Sequence, residues 1–129
     1  MGRAVTYAAT SPSLCALERL VQIGAADLAP LGLVMLRFDL PDDVPTVEID
    51  PADLPTDWRD DIAETRSRGD ALLTAQGPVI AIVPSVLMGF AGSPDRNALI
   101  NHRAAGSASI TIGARHAYAY DPRLSRSSN

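Results

Sequence analysis

Lysine is missing altogether: every one of the 11 basic residues in this 129-residue chain is arginine. No Schiff-base lysine and no phosphate-loop lysine can operate here, so any bound anion must be met by arginine, histidine, hydroxyls or backbone N–H groups. Cysteine is almost missing too. The single Cys15 excludes an internal disulfide, which fits a reducing cytoplasm. Together with His102 and His116 it makes too few ligands for a zinc pattern, so no metal is expected. Aromatic residues make up 5% of the chain, which disfavours a stacking platform for single-stranded nucleic acid. A net charge of −4 argues against the concentrated basic face that phosphate backbones require, so no direct nucleic-acid partner is expected. No apolar run approaches the roughly 18 residues of a membrane span. The start, Met1-Gly2-Arg3-Ala4-Val5-Thr6-Tyr7, has no apolar secretory core. The expectation is a cytoplasmic protein away from membranes.

What is present is a hydrophobic share of 47%, enough for one buried core, so residues 1–129 are read as one domain with a frayed tail at 125–129. Ala4–Ala9 alternates weakly around Val5 and Tyr7 and reads as a short strand. Ser11-Pro12 is an N-cap followed by proline at the first helical position; Leu14, Leu17, Leu20 and Val21 then recur at helical spacing until Gly24. A helix over Pro12–Ile23 follows. Leu31–Leu40 reads as a buried strand, Thr46–Ile49 as a short β piece within a proline-rich loop, and Pro78–Val83 as a central strand. Asp57–Thr74 reads as helical and broken or paired at Gly69, with Trp58 anchoring one end; Met88–Arg96 reads as a loop. Ser109–Ile112 and Ala117–Tyr120 alternate like two further strands. The sum is an α+β fold, a compact β-rich core with flanking helices.

Three segments concentrate chemistry. Tyr7–Glu18 brings together a strand-end tyrosine, the hydroxyls of Thr10, Ser11 and Ser13, and a carboxylate inside an apolar helical stripe. Such a carboxylate is either solvated beside Arg19 or held at a pocket wall to meet a hydroxyl or a developing positive charge. Cys15, on the same helix, reads as a buried and inert thiol. Val79–Ser85 delivers Ser85 past a strand that Pro84 stops; it is either a turn serine or a displayed site residue. Asn97-Ala98-Leu99-Ile100-Asn101-His102 carries two amides, which either cap turns or read ribose hydroxyls or a carboxamide.

Taken in order, Tyr7–Glu18, Leu54–Trp58 (Leu-Pro-x-x-Trp), Val83–Ser85, Asn97–Asn101 and Asp121–Leu124 resemble the motif series of the RES domain, over almost the whole chain. The resemblance implies a fold similar to ADP-ribosyltransferases and a toxin paired with a helix-turn-helix (Xre-type) antitoxin. It implies NAD as the substrate, destroyed by phosphorolysis or hydrolysis, or used to transfer ADP-ribose to a protein. By the same resemblance Tyr7, Glu18 and Ser85 match the family's site residues. Asn97 matches a pocket-side asparagine, and Ser11 joins them as an NAD-binding hydroxyl. Glu18 would stabilise the ribosyl cation, Tyr7 would stack on nicotinamide, and Ser85 would bind phosphate or the carboxamide. A solvent-open pocket lined by Tyr7, Glu18, Ser85 and Asn97 is the corresponding structural expectation. The family's site arginine lies upstream of the tyrosine in a Gly-Arg-Trp-Asn-like stretch that this sequence does not contain, and Arg3 stands too close to Tyr7 to replace it. Arg37 and Arg103 are the substitutes to consider. A degenerate relative that only binds its antitoxin is the competing reading.

Overall fold

The computed structural model describes residues 5–24, 32–60 and 62–125. Its elements run β1 (Val5–Ala9), α1 (Pro12–Ile23), β2 (Leu33–Asp39), β3 (Thr46–Glu48), α2 (Ile62–Leu72), β4 (Ile80–Pro84), β5 (Arg96–Asn101) and β6 (Thr111–Tyr118), with short 3-10 turns between. The fold class is α+β, as the sequence patterning implies. The tail beyond Ser125 lies outside the described residues.

Helix α1 keeps the bounds its caps dictate. Ser11 is extended (φ −136°, ψ 150°), and its side chain accepts a hydrogen bond from the backbone N–H of Leu14 at 3.2 Å. Gly24 ends the helix with φ 86° while its N–H reaches the Leu20 carbonyl at 2.9 Å.

Four strands form the main sheet in the order β1-β5-β4-β3, with β3 parallel to β4 and the other pairs antiparallel. Opposed residues share a face. One face therefore carries Tyr7, Leu99, Ala81 and Val47 in one row and Ala9, Asn97 and Val83 in the next. Here Leu73, Ala81 and Leu99 are buried with Val5, Val47, Leu72 and Val83 packed around them. The opposite face buries Val79, Ile80 and Ile100, together with Ala104, against Phe38 of β2, Val44 and Ile110. Covering on both faces explains why β4 reads as an unbroken apolar run.

Several sequence expectations change, among them the buried strand read at Leu31–Leu40: β2 has no fully buried residue, and Val34 and Leu36 are exposed. Asn97–Asn101 is a strand inside the sheet, because Leu99 feeds one core and Ile100 the other. The two strands expected near the C-terminus are one continuous β6, paired antiparallel with β2, and Ser109 belongs to the turn before it. The residues 113–116 between the two expected strands continue β6, whose mostly exposed side chains suit a two-stranded sheet with one side in water. Helix α2 passes through Gly69 without a break, and a Cβ built there meets nothing within 4 Å.

Candidate functional site

Glu18 lies one turn beyond the buried Leu14 on α1, and residues four apart share a helix face, so the carboxylate is directed inward. There it meets two donors from distant parts of the chain. The Ser85 hydroxyl donates to Glu18 Oε1 at 2.7 Å, and Asn97 Nδ2 donates to the same oxygen at 3.0 Å. Among the described residues nothing donates to Oε2, and Arg19 forms no ion pair with the carboxylate. The solvated alternative for Glu18 thus gives way to a held, half-buried carboxylate whose desolvation is offset by two charge-assisted hydrogen bonds.

Ser85 follows the last residue of β4 and is fully buried. Its oxygen accepts the Leu87 N–H at 3.0 Å while its hydrogen goes to Glu18. A phosphate has no access to it. The platform beneath is Trp58, 6% exposed, with the Arg59 guanidinium 4.9 Å over its ring. Arg59 also donates to the Gly89 carbonyl at 2.7 Å. A Cβ on Gly89 would lie 2.4 Å from the Ser85 carbonyl oxygen and 2.8 Å from two Trp58 ring carbons, so only glycine fits. Trp58 was legible in the sequence as an anchor; Arg59 and Gly89 carried no signal there beyond proximity to it and to a loop.

Asn97 is fixed by the junction of β1 and β5. Thr10 N–H reaches the Arg96 carbonyl at 2.9 Å, and the Thr10 hydroxyl both accepts from Arg96 N–H at 2.9 Å and donates to the Pro94 carbonyl at 2.9 Å. Thr10 therefore serves as a clamp. Asn101 is structural: its amide nitrogen donates to the carbonyls of Thr74 at 2.7 Å and Pro78 at 3.0 Å, and its oxygen accepts from Arg103 N–H at 3.2 Å.

Tyr7 stands on the same sheet face, opposite Leu99 and diagonal to Asn97, with 73% of its surface exposed. Its hydroxyl has no partner among the described residues, and no hydrogen bond joins it to Glu18. Ser11 serves as the α1 cap and makes no bond to the cluster either. Of the five predicted site residues, the fold brings Glu18, Ser85 and Asn97 into direct contact. The expected four-residue pocket is not what lies around them. One small, partly open cavity lies between Asp50, Phe90, Ser93 and Arg96, and another between Trp58, Arg68, Val83 and Leu99; neither is walled by Tyr7, Glu18, Ser85 or Asn97.

Burial pushes the Cys15 thiol above its ordinary pKa, and the negative charge of Glu18 one turn away adds to the shift. Arg37, a substitute arginine considered from sequence, is committed to Asp39 at 2.8 Å. Among the described residues no group of three or more His, Cys, Asp or Glu side chains could hold a metal ion, and no helix is long and apolar enough to cross a membrane.

A carboxylate with one oxygen tethered and the other open suits a ligand that offers hydroxyls or acquires positive charge. That arrangement sits within a recognised domain: the family model described as RES domain matches residues 1–121, and the chain belongs to that family. It is similar to the Prs ADP-ribosylating toxin of Sphingobium sp. (strain YBL2), 30% identical over 130 residues that span 98% of this chain and 78% of the relative. It is similar also to Toxin Res of Yersinia enterocolitica serotype O:8 / biotype 1B, 31% identical over 127 residues that span 95% of this chain and 79% of the relative.

Proposed function

We propose that this protein is a toxin that consumes NAD at Glu18, the reading that both the family and the named relatives support at the level of an ADP-ribosylating toxin. The observation that carries it is the Glu18 carboxylate, with Oε1 held by Ser85 and Asn97 and Oε2 left open. The bond between nicotinamide and ribose breaks, and its electron pair leaves with the neutral nicotinamide. Positive charge develops on the ribosyl carbon and ring oxygen. Glu18 accepts the ribose hydroxyls on Oε2 and stabilises that charge. Ser85 and Asn97 act through Glu18, since each spends its hydrogen-bond donor on holding the carboxylate. Tyr7 supplies an exposed aromatic face against which nicotinamide stacks.

A nucleophile then adds at the ribosyl carbon: phosphate, water or an acceptor side chain. The name of the Sphingobium relative favours transfer of ADP-ribose to a protein. The toxin names of both relatives support a toxin–antitoxin system; our reading places it as a type II module in the cytoplasm, with an Xre-type helix-turn-helix antitoxin covering the NAD site. Residues 1–129 then act as one domain resembling an ADP-ribosyltransferase. The test is incubation of the purified protein with NAD and chromatographic measurement of nicotinamide release, with phosphate, water alone, and protein acceptors as separate arms. Release in any arm supports the proposal. Silence in all three, with stable co-purification of the antitoxin, leaves a protein that only binds.

A further inference from the structure

We infer that Arg59 is a positioning residue for the reaction at Glu18: its guanidinium fixes the far end of the turn from which Ser85 reaches the carboxylate. This rests on the NAD reading above. Ser85 is the near end of that turn, fully buried and bonded to Glu18 Oε1. Little else holds the residues that follow it. Val86 and Leu87 are 57% and 36% exposed, so burial of their side chains does not anchor the chain. Among the described residues, two hydrogen bonds reach positions 86–89. One runs from the Leu87 N–H to the Ser85 hydroxyl and closes the near end on itself. The other comes from outside the turn: Arg59 Nη2 donates to the Gly89 carbonyl at 2.7 Å, across 30 positions of sequence.

A solvent-exposed arginine ordinarily keeps its rotamer freedom, but the head group of Arg59 is committed twice. It lies 4.9 Å over the Trp58 ring and donates to the carbonyl of a buried glycine. Trp58 leaves no room for a Cβ at Gly89, so the ring stops the turn from moving inward. A wall blocks one direction only; the wall and the bond together fix the carbonyl. The anchor is itself firm. The Trp58 N–H bonds to the Pro55 carbonyl at 3.0 Å and the Asp60 N–H to the Asp57 carbonyl at 2.8 Å, so Arg59 sits within a closed turn. A guanidinium stacks by its flat face and donates from its edge at the same time, whereas an ammonium donates as a point charge. Arg59 makes no hydrogen bond to Glu18, Ser85 or Asn97, so its effect passes through the turn. With Gly89 released, the Ser85 hydroxyl swings away and Glu18 keeps Asn97 alone as a donor. The carboxylate loses its fixed direction while Tyr7, on β1, is untouched. The chemical step should suffer and NAD binding should not.

The experiment measures nicotinamide release and amide hydrogen exchange on the full chain. The proteins are the wild type, Arg59→Gln, Arg59→Lys, Ser85→Ala and the double variant Arg59→Gln with Ser85→Ala. Arg59→Gln removes one charge-assisted hydrogen bond and is expected to lower kcat at least about tenfold. KM for NAD is expected to stay within about twofold. The Leu87 N–H is expected to exchange at least about tenfold faster, while the Asn101 N–H, bonded inside the sheet to the Val79 carbonyl at 2.8 Å, keeps its wild-type rate. In the Ser85→Ala background, Arg59→Gln is expected to slow release no further, because the two act as one unit. Arg59→Lys keeps a cationic donor without the flat stack and is expected to fall between the wild type and Arg59→Gln. Should Arg59→Gln not fold, Arg59→Lys carries the same comparison. A raised KM with kcat held would make Arg59 a substrate ligand and overturn the positioning role. So would a wild-type kcat, an additive loss in the double variant, an unchanged Leu87 rate, or equal acceleration at Leu87 and Asn101. A wild type that releases no nicotinamide sinks the NAD reading instead, and the Leu87 comparison then still decides whether Arg59 holds the turn.

Discussion

Ser85 and Glu18 are 67 residues apart in sequence and 2.7 Å apart in space, hydroxyl to carboxylate, with the serine oxygen also accepting the Leu87 N–H. The pair joins α1 to the end of β4 at a point water does not reach from the serine side. Ser85→Ala removes the donor to Glu18 and strands the Leu87 N–H at once. Each such part-buried hydrogen bond contributes about 0.5–1.5 kcal/mol net. The variant is expected to lose stability by that much for each bond by urea denaturation and to lose NAD cleavage as well.

Glu18→Gln separates charge from geometry. The amide oxygen still accepts from Ser85 and Asn97, so folding and the network persist, but the negative charge proposed to face the ribosyl centre is gone. Removing one preorganised electrostatic group commonly costs on the order of 10²–10³ in kcat. That loss is expected with an unchanged urea midpoint, and a wild-type rate would take Glu18 out of the mechanism.

The parts of this architecture that were legible in the sequence are those written in local signals. Ser11, Pro12 and Gly24 set both ends of α1. The unbroken apolar run into Pro84 marked β4 as interior. Glu18 stood out because a carboxylate in an apolar stripe needs a partner. What was illegible depended on tertiary partners: which of Arg19, Ser85 and Asn97 would meet Glu18, and whether two asparagines around three apolar residues make a strand or turns. Asn97 and Asn101 look alike in sequence, yet one donates to the Glu18 carboxylate and the other ties down the Thr74–Pro78 turn. Gly69 misled because glycine's helix-weakening tendency is modest and packing overrides it. Gly89 was invisible because its necessity lies in the Trp58 ring above it.

Gly89→Ala tests that necessity. Contacts of 2.4 Å to the Ser85 carbonyl oxygen and 2.8 Å to the Trp58 ring cannot be kept, so the Ser85–Gly89 turn must shift. Overpacking of this kind costs about 1–3 kcal/mol. Stability is expected to fall by that much, and activity to fall further because Ser85 moves off Glu18. Full activity would mean that the turn can relax without disturbing the carboxylate.

Cys15 supplies a pH prediction. Burial, reinforced by Glu18, raises its thiol pKa in the folded protein, so the native state holds that proton more tightly than the unfolded chain does. The corresponding stability is fully present below the unfolded thiol's pKa and is lost as pH rises through the higher folded value. Unfolding free energy is expected to decline across that alkaline window, and Cys15→Ser to flatten the decline. At neutral pH iodoacetamide is expected to label the native protein far more slowly than the urea-unfolded chain. Equal labelling rates would show the thiol to be unprotected.

Tyr7 separates ring from hydroxyl. Its side chain is 73% exposed on an edge strand, and its hydroxyl has no partner among the described residues. The ring therefore contributes little to the core, and surface changes away from special features usually stay within about 0.5 kcal/mol. Its proposed service is stacking on the nicotinamide ring, and aromatic pairs contribute about 0.5–1.5 kcal/mol beyond area burial. Tyr7→Phe keeps the ring and is expected to cleave NAD at close to the wild-type rate. Tyr7→Ala is expected to raise KM by about two- to tenfold, since 1.4 kcal/mol is one decade, with kcat changed less and the urea midpoint held. Steady-state kinetics on both variants decide the matter. Loss of kcat in Tyr7→Phe would give the hydroxyl a direct part in the chemistry, and an unchanged KM in Tyr7→Ala would place nicotinamide elsewhere on the sheet.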